Sequence, residues 1–189
     1  MSRGTARTML EGIGRGTLIR RGGRIVALAQ TPRTEIDFGR GPRPALGLSW
    51  GDVATAWRST GIPDIEVYFA LTPSLARVAT LPHAVKRLLG SPLLRPLLGR
   101  GIRRRPPGPT PEQRARGRSI VVAQAWDAAG RSVRSRLETV EAYTLTAWTA
   151  VEIARRALAG GAVPGAHTPA TAYGPDFVLS FQETVREDL

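Results

Sequence analysis

Cysteine is missing from this 189-residue chain, and its absence excludes disulfides, thiolate nucleophiles and cysteine-held metal. Histidine is nearly missing: His83 and His167 lie far apart in sequence, which argues against a histidine metal site. Lysine is reduced to Lys86 among 27 basic residues. Aromatic residues make up 6% of the chain, and none interleaves the densest basic run, Arg100-Gly-Ile-Arg-Arg-Arg105. Base stacking therefore has no platform there. No apolar run approaches the ~20 residues of a membrane-spanning helix, and no signal peptide is visible, so a cytoplasmic setting is expected. Also missing are a strand-linked GxGxxG, a Walker loop, a GxSxG elbow and an HExxH pair.

What is present is charge and small apolar residues. Formal net charge is +12, with 42% hydrophobic residues and a mean hydropathy near zero (−0.13). These values fit one soluble globular domain spanning 1–189. The basic excess invites nucleic acid, but the dominance of arginine together with alanine and glycine suggests a GC-rich coding bias. No zinc-knuckle or basic-zipper pattern accompanies it, so specific nucleic-acid binding is not expected.

Local patterns give an α+β reading, a mostly antiparallel or mixed sheet with helices on one face. Ala6, Met9, Leu10 and Ile13 sit at helical spacing behind Ser2-Arg3-Gly4-Thr5, where Ser2 or Thr5 can cap, and Gly14 and Gly16 can stop the helix. TLIRR and RIVALA read as strands about a Gly22-Gly23 turn. Extended pieces follow at Glu35–Phe38 and Ala45–Ser49, then a helix at Gly51–Ser59 that Gly61 and Pro63 end, then a strand at Asp64–Leu71. A helix can begin at Pro73-Ser74 and carry Leu75, Val78 and Ala79, after which Pro82, Pro92 and Pro96 chop the chain into short pieces. Residues 103–117, RRRPPGPTPEQRARG, read as a flexible internal loop rather than a domain boundary. Ser119–Trp126 and Arg131–Leu137 form a hairpin, with Val133 and Leu137 toward the core and Arg134 and Arg136 toward water. The longest helix, Glu141–Ala159, has almost no polar face before Arg155 and Arg156. Leu145, Trp148, Val151 and Ile153 spread around it, so one sheet face cannot cover them all. A final strand is expected at Phe177–Phe181, followed by a polar tail.

Four residues are candidates for substrate contact. Thr5 stands where first-turn amides can meet an anion or simply be capped. Arg58 can pair with a carboxylate or be solvated. Tyr143 and Tyr173 can donate to a substrate carbonyl, or be satisfied by backbone if buried. Asp64 with Glu66 reads as strand-edge charge and not as a catalytic dyad. The glycines at Gly12, Gly14 and Gly16 follow a helix instead of opening one, so they do not form a phosphate loop. No residue is identified as catalytic, cofactor-binding or metal-binding from the sequence.

Taken in order, SRGTARTMLEGIGRG, RRGGRIV, EIDFG, WGDVATAWRSTGIPDIEVY, the EAYTLTA helix and TPATAYGPDFVL resemble the C-terminal half of saccharopine dehydrogenase-like oxidoreductases. The bacterial branch that includes the trans-acting enoyl reductases of lipid synthesis is the most similar in flavour. The resemblance spans nearly the whole chain. It implies a substrate and association domain that normally accompanies a Rossmann domain binding NAD(P); that domain is absent here, so the isolated chain is expected to be inactive and to hold no cofactor. The family's Ser-Gly-Gly-Thr turn stands as Ser2-Arg3-Gly4-Thr5, which departs from it at position 3. The expected partner is a second copy or a separate Rossmann-type chain. A second reading is a docking module for anionic lipid or an acyl carrier, based on the leucine- and arginine-rich stretch 83–105.

Overall fold

The computed structural model describes residues 2–12, 16–72, 76, 81–104 and 106–189. The expected helix through Leu75, Val78 and Ala79, and Gly14 of the expected helix stop, lie outside the described residues; Gly16, the other expected stop, takes φ 79°. The chain is α+β, and every strand pairing among the described residues is antiparallel. It divides into two compact units, Met1–Asp37 with Gly41–Pro109, and Phe38–Arg40 with Thr110–Leu189. The division falls inside the proline-rich segment that the sequence presents as an internal linker.

In the first unit α1 (Arg3–Gly12) begins behind Ser2 and buries Ala6 and Leu10. Strands β1 (Thr17–Arg21) and β2 (Arg24–Leu28) form the expected hairpin. Its two-residue turn needs positive φ at both positions, and Gly22 (52°) and Gly23 (77°) supply it. Strands β3 (Arg33–Asp37), β4 (Pro42–Gly47) and β5 (Tyr68–Ala70) make a second sheet in that order. Pro42 and Pro44 have no N–H to give, and the β5 ladder is confined to Ala45–Gly47. Helix α2 (Asp52–Thr60) ends in Gly61 at φ 70°, as the sequence predicts, and buries Val53. The strand expected over Asp64–Leu71 is shorter because its residues serve two sheets. Ile65 bridges to Arg20 of β1, whereas Tyr68–Ala70 pairs with β4. Helices α3 (His83–Leu89) and α4 (Arg95–Arg103) follow, and α4 packs on α1. The core centres on Ile19, Ala45, Leu46 and Val53.

In the second unit the expected loop 103–117 carries a helix, α5 (Pro111–Arg116). Thr110 and Gln113 form a reciprocal capping box, with Pro111 at the first helical position, and that local chemistry overrides the proline content. Strands β6 (Arg118–Trp126) and β7 (Ser132–Val140) pair along nine residues. Asp127 shapes the turn by accepting from the amides of Ala129 and Arg131, both at 2.9 Å. The faces of β7 differ from expectation. Val133 is 72% exposed, while Arg134 and Arg136 are half-buried. Arg136 passes directly over Gly39, where a Cβ would meet its guanidinium, and it pairs with Glu187 at 2.8 Å. Alternation gives two faces to a strand; what covers either face depends on distant chain.

Helix α6 (Ala142–Arg156) is started by Glu141, whose carboxylate accepts from the amides of Tyr143 (3.0 Å) and Thr144 (3.2 Å). It runs into a wide turn, Ala157–Gly161, where Gly160 takes φ 87°. Helix α7 (Pro169–Tyr173) leads to a 3₁₀ turn over Pro175–Ser180, where the sequence predicts a strand. Gly174 at φ 90° and Pro175 redirect the chain into that turn, and Phe177 is buried by it. The last strand is instead β8 (Val185–Asp188), in the stretch expected to be a polar tail; it pairs with β7.

Candidate functional site

Thr5 and Arg58 belong to the first unit, Tyr143 and Tyr173 to the second. The Thr5 amide donates to the Ser2 hydroxyl oxygen at 3.1 Å, and the two hydroxyls lie 3.0 Å apart. The Arg3 amide donates to the Pro107 carbonyl at 3.2 Å. Two first-turn amides are thus taken by the protein itself. Arg58 is exposed in the last turn of α2, where a cation complements the helix dipole. Tyr143 is 38% exposed in the first turn of α6. Tyr173 stacks 5.2 Å from Phe177 and lies beneath the Arg156 guanidinium at 5.1 Å.

Two polar clusters form that sequence patterns do not reveal. In the first, Tyr68 donates its hydroxyl to Glu66, and Arg21 donates to the other oxygen of the same carboxylate. Burial, and then the bond to Glu66, push the Tyr68 hydroxyl up to about 12. The hydroxyl is therefore protonated at neutral pH, where it donates to Glu66. Asp64 accepts from the Gly22 amide at 2.8 Å. Both acids of the Asp64/Glu66 pair brace the β1–β2 hairpin, so their work is structural. Beside them Arg20 is buried, donating to the carbonyls of Val53 (2.9 Å) and Gly23 (2.5 Å) with Trp57 at 5.3 Å.

In the second unit Arg156 lies 4.8 Å over Phe177 as well as over Tyr173, and Phe181 meets Phe177 edge-on at 5.3 Å. Glu152 accepts from Arg156 at 2.7 Å and from Arg155 at 2.8 and 2.9 Å. These hydrogen bonds, Arg155 first, hold the Glu152 carboxyl down at about 2. The Glu152/Arg155/Arg156 spacing is readable as helix pairs at i,i+3 and i,i+4. The aromatic partners come from 17 to 25 residues further on, and no local pattern announces them.

The same helix has its polarity reversed. Glu152 and Arg156 are on its half-buried side with Leu145 and Ile153. Tyr143, Ala147, Val151, Ala154 and Leu158, at spacings of four, four, three and four, are all exposed. Val151 is 70% exposed and Leu158 90%, with Trp148 beside them at 38%. No residue of α6 is buried. An apolar, uncharged stripe facing outward is the inverse of a surface helix and has the character of an interface. It can bind; it offers no chemistry of its own.

Among the described residues no group of His, Asp or Glu is placed to hold a metal ion, and no helix is long and apolar enough to cross a membrane. No family model, curated protein or solved structure matches the chain.

Proposed function

We propose that the chain is the substrate and association domain of a saccharopine dehydrogenase-like oxidoreductase, acting by binding in a cytoplasmic setting. In this reading NAD(P) is held by a Rossmann-type domain outside these residues, and the isolated chain is redox-inactive. The observation that carries the associative part is the reversed helix, whose outward stripe Ala147-Val151-Ala154-Leu158 needs cover. The oxidoreductase part rests on the ordered resemblance of segments along the sequence.

Light scattering at micromolar concentration tests the first part: a dimer is expected for the wild type, and a folded monomer for Val151→Glu, since Val151 is exposed and its replacement leaves the core intact. A well-dispersed wild-type monomer overturns it. Titration with NADH and NADPH tests the second part. No micromolar binding is expected to the isolated chain, and saturable binding of either would place the cofactor site here and refute the division of labour.

A further inference from the structure

Between Glu66 and Glu112 the chain has eight lysine and arginine residues and no acidic one. The same stretch contains three strongly exposed leucines: Leu88 at 58%, Leu93 at 86% and Leu97 at 60%. Around α4 these two features coincide. Leu97, Arg100 and Arg104 are spaced by three and four residues, which puts them on one side of the helix, and Leu93, in the turn that leads into it, stands four residues before Leu97. All four are exposed, whereas Leu94, Leu98 and Ile102, one position further round, are half-buried on the side that packs on α1. Both residues flanking α4, Leu94 and Arg104, keep helical backbone angles, so Arg104 extends the line of Leu97 and Arg100.

We infer that this stripe docks on an anionic lipid surface. The leucines enter the boundary between headgroups and acyl chains, and the arginines, whose long stems reach outward from the same side, meet lipid phosphates. A stretch without a single carboxylate has nothing to oppose approach to a negative surface, and each basic residue near that surface adds to the attraction. Leucines that stand out from the helix suit a surface that yields to them. An acidic carrier protein would meet the charge but not bury two protruding leucines in line with it. Nucleic acid is disfavoured by the same stretch, since no Phe, Tyr or Trp lies between Phe69 and Trp126.

The test is co-sedimentation of the full chain with vesicles of phosphatidylcholine alone or with roughly one-third phosphatidylglycerol, in about 0.1 M and 0.5 M salt. Binding is expected only to the anionic vesicles and is expected to fall steeply with salt. The Arg100→Gln/Arg103→Gln/Arg104→Gln variant is expected to partition ~100-fold less. Leu93→Ser/Leu97→Ser is expected to lose at least about tenfold. Both variants alter exposed side chains, and circular dichroism like that of the wild type confirms that they fold. Equal binding to neutral and anionic vesicles, no binding to either, or unchanged partitioning of either variant overturns the inference. So does binding to a purified acyl-carrier protein in place of vesicles. None of these outcomes bears on α6, which lies in the other unit.

Discussion

The two units are held together differently. The first buries Ala6, Leu10, Thr17, Ile19, Arg20, Ala45, Leu46 and Val53; the second buries Thr139, Val140 and Phe177. In the first, buried aliphatic side chains from α1, two sheets and α2 provide the burial, and Arg20 is accommodated by giving its protons to backbone carbonyls. In the second, the contacts are a nine-residue ladder, the ion pairs Arg118–Glu183, Arg136–Glu187 and Arg186–Asp176, and the Arg156 aromatic cluster. Exposed ion pairs contribute little each. A unit built that way gains most from being covered, and its apolar helix stripe is where cover is missing.

The sharpest way to break this comparison is to truncate one aliphatic side chain in each unit. Ile19 is 2% exposed, and Ile19→Ala is expected to cost about 2–5 kcal/mol. Val151→Ala, at 70% exposure, is expected to change monomer stability by no more than about 0.5 kcal/mol, its cost appearing in self-association instead. Chemical denaturation of both variants, each followed over a range of protein concentration, measures the difference. A comparable loss for the two in dilute solution would mean that α6 is core after all.

A smaller effect sharpens the account of what holds the second unit. Arg156→Ala removes a guanidinium from over Tyr173 and Phe177, and the cation–π part of that contact is worth about 1 kcal/mol. Arg156→Lys retains the charge but not the planar stacking, and is expected to recover only part of the loss. Full recovery by lysine would show that charge alone, and not stacking on the rings, fastens α6 to the 3₁₀ turn.

How much of this was legible depended on whether the cause was local. The Gly22-Gly23 turn, the Gly61 stop of α2, the Asp127 hairpin and the start of α6 at Glu141 each follow from a few adjacent residues, and each appears where the sequence puts it. The capping box at Thr110–Gln113 was equally local but was hidden by the prolines around it. Strand β8 was not legible, because Val-Arg-Glu-Asp has no alternation, and its place is set by the β7 ladder and the Glu187–Arg136 pair. The apolar run at 177–179 mimicked a strand, yet Phe177 is drawn into a ring cluster that only tertiary structure assembles. As for the candidate site, the excess of apolar residues on α6 was readable from its composition. Which side stayed open was not, because Glu152 and Arg156 turn inward to reach partners far along the chain.

The smallest effect concerns pH, and it separates the units by the sign of their response. In the first, Tyr68 has its hydroxyl raised from 10.0 to about 12. The folded state thus binds that proton more tightly than the unfolded state, and the stabilisation is complete below pH 10 and lost as pH rises toward 12. In the second, Glu152 is lowered from 4.5 to about 2. The folded state there holds its proton more weakly, so the stabilisation is complete above pH 4.5 and lost as pH falls toward 2. Tyr68→Phe is therefore expected to flatten the alkaline limb of the stability profile and leave the acid limb alone, and Glu152→Gln to do the reverse. Added salt weakens the Glu152 pairs with Arg155 and Arg156, in which both partners are charged, more than the Tyr68–Glu66 bond, whose donor is neutral. Denaturation midpoints measured across both limbs at low and high salt decide it. An acid limb unchanged in Glu152→Gln would mean that the Glu152–Arg155–Arg156 group orders the helix without stabilising it.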